Sequence, residues 1–350
     1  METKAVYHHL TPQTYMKAWK HGKSSVYVVD KGTNGVGTVK NTKNFAGINN
    51  YHSLRAGSLF RTEEDCKKFF KPLDNYIVKI NDKVVKNRIE MNNRFYKYNT
   101  WIIINNNAEI IDEAEKKALK KDILSIHVRD IEVGWDRQYE NYWNSINKAI
   151  SYEVCSNPFI VQSIPAVKRT NLIKFAVSME WRTRPYHPVL EETFDWLMSE
   201  KFFGLDFKSI YIPENERLYP FLQTMYDEFA HSYILKLYRQ FLDGKGVIMD
   251  EANNFINNSC VCLLIAPDNG EFITSDNPVC RITNKEGTTE YIFPINPKIA
   301  CLIVKGSAQE SYLLKHLTKD ELIYYNNKLK ENCNLGYILR KQNRLLYFNK

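Results

Sequence analysis

The chain has 350 residues, 44% of them hydrophobic and 25% charged, with a net charge of +8. That apolar content excludes a disordered chain and is ample for a core. The start METKAVYHHL carries no apolar signal core, and the longest apolar runs, such as CVCLLIA at 260–266, fall far short of the roughly 20 residues that span a bilayer, so a soluble, cytoplasmic protein is expected.

The charge is unevenly placed. Residues 1–50 hold seven lysines and two acids, and residues 315–350 hold eight Lys/Arg and three acids, a balance of +5 for each; the remainder is therefore −2. If the two segments meet they form a basic surface suited to phosphates; otherwise they are solvated lysines, the reading the sequence favours. The seven cysteines are scattered without C-x-x-C spacing, so neither a disulfide framework nor a zinc site is expected and the thiols are taken as reduced. Cys260 and Cys262, two apart in a strand-like run, are expected to share one face and pack in the core.

Thr11 before Pro12 reads as a helix cap with proline at the first helical position, opening a short helix whose Tyr15, Met16 and Trp19 share a face. SSVYVVD at 24–30 is a strand, and the glycine-rich KGTNGVGTVKNTKNFAG after it is an exposed loop or hairpin. Thr62, followed by three acids, caps a helix running toward Pro72. From about 108 to 243 the pattern is mainly helical: AEIIDEAEKKALKKDILSIHV, the segment from Trp135 to Trp143, a helix near 166–183, another after Pro188, and one near 214–243 ended by Gly244. After Gly246, CVCLLIAP, EFITSD, EYIFPIN and KIACLIVKG read as short strands. Thr318 with Glu321 forms a capping box for a helix through KLKEN, and RLLYFNK closes as a final strand. The expected architecture is α+β in a single compact domain over 1–350, with an N-terminal part (1–60), a helical middle (61–245) and a C-terminal α/β part (246–350) sharing one sheet built from N-terminal and C-terminal strands.

Candidate chemistry starts at EFITSDNPVC, 271–280. Alternation puts Phe272, Thr274 and Asp276 on one face and Ile273 and Ser275 on the other. An Asx turn before Pro278 explains Asp276 and Asn277 but does not demand Thr274 and Ser275, so Asp276 is either a turn residue or a site residue. In NLIKFAVSMEWRTRP, Leu172, Phe175, Ala176 and Met179 make an apolar stripe that Arg182 continues. A buried arginine needs a carboxylate or a ligand, and Asp276 is the expected partner. His9, beside a helix start, has the chemistry of a general acid or base, and the adjacent His8 leaves the choice between the two histidines open.

HLTPQTYM at 9–16, the arginine closing FAVSMEWRT, FITSDNPV at 272–279 and FPINP at 293–297 occur in an order that resembles the bacterial domain-of-unknown-function 4238 family, over roughly residues 7–340. Members read H-x-x-P-x-x-Y-L, Q-x-x-R, T-S-D-x-P and then a P-L-S-P-like step. The resemblance points to His9, Pro12, Tyr15, Arg182, Thr274, Ser275, Asp276 and Pro278, with departures at Met179 (usually Gln) and Met16 (usually Leu). Two readings follow. In one, the chain is an RNA-acting enzyme, a toxin or phage-defence effector: His9 is the acid/base, Arg182 stabilises phosphate charge, Asp276 orients one of them, Tyr15 or Ser275 donates a hydrogen bond, and Thr274 and Ser275 hold substrate. In the other, the same residues are the polar core of a non-catalytic binding or sensor module.

R-T-R-P-Y-H at 182–187 also matches an R-x-x-x-x-H spacing found in RNases, a match expected about once by chance in a chain of this composition. E-F-A-H at 228–231 lacks the second pair that a di-iron bundle needs. No Asp/Glu/His cluster stands at ligand spacing, so no metal or cofactor is expected. The tryptophans at 101, 135, 143, 181 and 196 either stack bases or, as a helical context favours, fill the core.

Overall fold

The structure is a computed structural model and describes residues 6–33, 35–157, 162–183, 192, 195–196, 206–283 and 287–349. It is α+β, as the sequence predicts. The chain divides into two compact units, one of residues 1–51, 134–187 and 240–350 and the other of 52–133 and 188–239.

In the first unit, a four-stranded antiparallel sheet runs in the order Thr274–Ser275, Gly336–Leu339, Ser25–Asp30, Thr38–Asn41, which is the expected sheet built from N-terminal and C-terminal strands. A six-stranded sheet has the order Cys280–Thr283, Thr289–Asn296, Ile299–Lys305, Ser259–Ile265, Ser311–His316, Ser163–Pro165, and its one parallel pair joins Ser259–Ile265 to Ser311–His316. Tyr7–His9 pairs with Gly47–Asn49 in a separate ladder. The C-terminal helix Lys319–Asn332 starts at the expected capping box, in which Thr318 and Glu321 each accept from the other's backbone N–H. It buries Leu322 and Leu329 in a core with Phe272, Ile273, Tyr337 and Tyr347.

The second unit holds a three-stranded sheet, Lys83–Val84, Ile77–Ile80 and Ile102–Ile104, inside the stretch expected to be helical. Its hairpin turns on Asn81 and Asp82, both at positive φ (49° and 61°), the backbone that a two-residue type I′ turn requires and that Asn and Asp tolerate best. Glu63–Phe69 starts at the predicted Thr62 cap, and Asp65 completes a capping box there. The same Asp65 carboxylate takes both Nη atoms of Arg239, at 2.5 and 2.9 Å.

Several expectations are corrected. The helix drawn over AEIIDEAEKKALKKDILSIHV begins only at Glu113, because Asp112 caps it by accepting from the Glu115 N–H. Val247–Asn258 is a helix where the sequence reading turned directly to strands. RLLYFNK is not a strand: Asn343 accepts from the Leu345 N–H and tightens Arg344–Leu346 into a 3-10 turn. The helix expected after Pro188 lies outside the described residues but for three positions. Trp101, Trp135, Trp143 and Trp181 are buried core, while Trp196 is exposed. All seven cysteines are free; Cys260 and Cys262 do share a face, but a half-buried one. No described helix is long and apolar enough to cross a membrane.

Candidate functional site

Thr274, Ser275, Asp276 and Asn277 are all at most 4% exposed. A polar run can be buried only if each group is paired, and these are. The Asp276 carboxylate accepts the backbone N–H groups of Asn334 (3.1 Å), Leu335 (2.9 Å) and Gly336 (3.3 Å). Burial pushes its pKa above the ordinary 3.8, and the three amides pull it part of the way back. The Asp276 carbonyl accepts from Thr11 Oγ1 at 2.8 Å. Thr11 is therefore no helix cap: the helix Gln13–Met16 has Pro12 at its N-cap and no side-chain capping bond. Ser275 Oγ accepts the Asn277 N–H at 3.1 Å, a turn closed within the segment. Asn277 accepts from Thr183 Oγ1 (2.8 Å) and donates to the Asn332 carbonyl (2.9 Å), and Asn332 donates back to the carbonyls of Asn277 and Val279.

Tyr15 is fully buried, and its hydroxyl donates to the Pro294 carbonyl at 2.9 Å. Its single proton being spent there, the 2.7 Å contact with Thr274 Oγ1 has the threonine as donor. Burial raises the phenol pKa well above 10, which removes Tyr15 from acid/base work near neutrality. The His9 ring donates from Nε2 to the Thr42 carbonyl at 3.1 Å, and His8 is wholly buried.

Arg182 is fully buried, as the stripe predicts, but its partner is not Asp276. Its Nη2 donates to Glu140 Oε1 at 2.8 Å and to the His9 carbonyl at 2.9 Å, and the guanidinium lies 4.7 Å from the Trp135 ring centroid. Asp276 is unavailable because its oxygens are already committed to the 334–336 backbone. Sequence reasoning missed Glu140, which closes a π-helical turn, Asp136–Glu140. It also missed Thr183, Asn332 and Asn334, for which no sequence spacing gives a signal.

The structure thus joins Tyr15 to Thr274, Thr11 to Asp276, and Arg182 to the His9 backbone, and it does not join the His9 imidazole, Arg182 guanidinium and Asp276 carboxylate into one constellation. His187, the second half of the R-x-x-x-x-H match, lies outside the described residues.

A family model described as "Protein of unknown function (DUF4238)" matches residues 7–149 and 131–342. The chain belongs to the DUF4238 family. No curated protein and no solved structure matches it. The residues to which the sequence resemblance points are among those just described, and hydrogen bonds around the TSDNP turn link it to Thr11, to the end of the helix Arg169–Thr183, to the end of the C-terminal helix and to the loop after it.

That loop borders an open pocket of about 360 Å³ in the same unit. Its lining includes Asp30 at the end of the strand Ser25–Asp30, Lys31 from the glycine-rich loop, and Lys330, Glu331, Tyr337 and Arg344 from the C-terminal segment. The two basic segments of the sequence do meet, and here is where they do so. Asp276 fixes the backbone of 334–336, in sequence between the lining residues Cys333 and Tyr337, and is not itself part of the lining.

Proposed function

We propose that this chain is a non-catalytic binding module in which the family motif is the frame and the ligand is taken up elsewhere on the surface of the first unit. One observation carries the reading: Tyr15, Arg182, Thr274, Ser275 and Asp276 are at most 4% exposed, and each makes a hydrogen bond to backbone or to another buried side chain. A general acid or a phosphate-stabilising arginine must reach the reacting atoms within about 3 Å, and an orienting carboxylate must reach one of those groups. Groups sealed in this way have no route to a phosphodiester, so an RNA-cleaving site built from these residues has no support in their geometry.

The test separates frame from catalyst. Asp276→Ala and Arg182→Ala are expected to lower the melting temperature together, each by several degrees, in circular-dichroism melts. Purified wild-type protein incubated with total RNA is expected to leave it intact. Wild-type cleavage of RNA, with both variants folded as stably as wild type and inactive, would overturn the binding-module reading in favour of the enzyme.

A further inference from the structure

We propose that the pocket between the glycine-rich loop and the C-terminal segment is an anion site for a small phosphate-bearing ligand, up to the size of a mononucleotide. This assignment rests on the binding-module reading and names its ligand class. Three cations from three separate elements line the pocket: Lys31 just after the strand Ser25–Asp30, Lys330 on the last turn of the helix Lys319–Asn332, and Arg344 at the start of the 3-10 turn. None of the three has a carboxylate partner among the described residues. The two acids of the lining are each met by a lysine outside it, Asp30 by Lys40 at 2.6 Å and Glu331 by Lys328 at 3.0 Å. The charge left facing the cavity is therefore positive.

One feature opposes an anion here, the negative end of the C-terminal helix. It is blunted by donors already in place: the Asn332 carbonyl accepts from Asn277, and the Cys333 carbonyl accepts Lys31 Nζ at 2.6 Å. Lys31 keeps its other ammonium hydrogens for a ligand. Lys330 Nζ lies 5.8 Å from the Tyr337 ring centroid and 5.5 Å from that of Phe348, and the Arg344 guanidinium lies 5.9 Å from Phe348, so the cations rest on aromatic faces rather than on carboxylates. An aromatic support leaves the N–H groups open to an oxyanion, and a planar guanidinium beside two ammonium groups suits phosphate oxygens.

The glycine-rich loop is cut to fit this arrangement. Gly35 sits at φ +83°, and a Cβ there would overlap the Arg344 guanidinium, so any other residue at 35 pushes Arg344 out of its place. Gly32, at φ +82°, has open space on its Cβ side. The loop gives the arginine its berth through Gly35, and the Asp276 clamp holds the opposite wall.

The experiment is isothermal titration calorimetry of the full chain with inorganic pyrophosphate and with AMP, at fixed ionic strength with chloride as the competing ion. Saturable one-to-one binding is expected, weakened about tenfold by Lys31→Gln and again by Arg344→Gln, as befits loss of a charge-assisted hydrogen bond. Gly35→Ala, which retains every charge, is expected to weaken binding as Arg344→Gln does. Circular-dichroism melts check that each variant is folded. No saturable heat with either probe, or binding unchanged in folded Lys31→Gln and Arg344→Gln variants, overturns the site. Binding of a ten-nucleotide RNA that pyrophosphate does not displace also overturns it, in favour of a polymer surface. Failure here, with Asp276→Ala and Arg182→Ala still destabilising, removes the ligand assignment alone; intact melting temperatures for those two variants remove the frame reading instead.

Discussion

Asp276 and Arg182 solve the same problem, a buried charge, by different means. Asp276 spends its carboxylate on three consecutive backbone N–H groups, so truncation leaves all three without this acceptor, that of Gly336 in a buried position. Arg182 balances Glu140 over the Trp135 ring. Removing one member of such a pair leaves an uncompensated buried charge at about 3–5 kcal/mol, whereas removing both together costs much less. Arg182→Met and Glu140→Gln are therefore each expected to be strongly destabilising. The double variant should recover a large part of the loss, as read by urea denaturation of all four proteins; strictly additive losses would mean that the two residues are not coupled. The arginine's need for a partner was legible from its place on an apolar stripe. The partner's identity was not, because it depends on which carboxylate is still uncommitted once the chain has folded.

At the level of elements, local signals with their own hydrogen-bond logic held. The Thr62 cap and the Thr318 capping box formed where the sequence placed them. Thr318→Ala is expected to cost about 1 kcal/mol in thermal or denaturant unfolding, the usual worth of a cap, and Thr318→Ser to cost little. The Asn81-Asp82 turn is equally legible as a hairpin signal, set between the alternating Val78-Lys79-Ile80 and the apolar Val84-Val85. Thr11 misled. Threonine before proline is a good cap signal, but a hydroxyl bonds whichever acceptor tertiary structure brings to it, and here that is the Asp276 carbonyl, 265 positions away. RLLYFNK has the composition of a strand, yet Tyr347 is drawn inward to donate to Glu271 at 2.9 Å, and the chain turns to deliver it.

Across the whole molecule, the buried charges set how stability depends on pH. Burial pushes the Glu271 carboxyl up, but hydrogen bonds from Arg340 and Tyr347 and the Arg340 charge outweigh it, and the net pKa is below the ordinary 4.5. A depressed carboxylate contributes stability that is present above its unfolded value and lost as pH falls through the folded one. His127 is depressed from 6.5 to about 4 by burial and by the charges of Arg129 and Arg55. It stays neutral in the folded chain while the unfolded chain takes up a proton, so its contribution falls away between pH 6.5 and 4. Melting temperature is thus expected to decline in two stages on acidification. His127→Gln should flatten the stage above pH 4.5, and Glu271→Gln the stage below it. A profile unchanged in both variants would assign the acid limb to other groups.

Short windows of sequence carried the α+β class, the sheet shared by N-terminal and C-terminal strands, the Thr62 cap, the Thr318 capping box and the family. These are legible because periodicity, capping and motif order are written in short windows of chain. What the buried groups of TSDNP bond to was settled by tertiary contacts alone. Whether a carboxylate faces a ligand or three amides depends on segments about 60 residues away arriving at 2.9–3.3 Å, and no local pattern carries that information. The same holds for the basic segments: their charges could be counted in the sequence, but their convergence on one pocket is a consequence of strand pairing between Ser25–Asp30 and Gly336–Leu339.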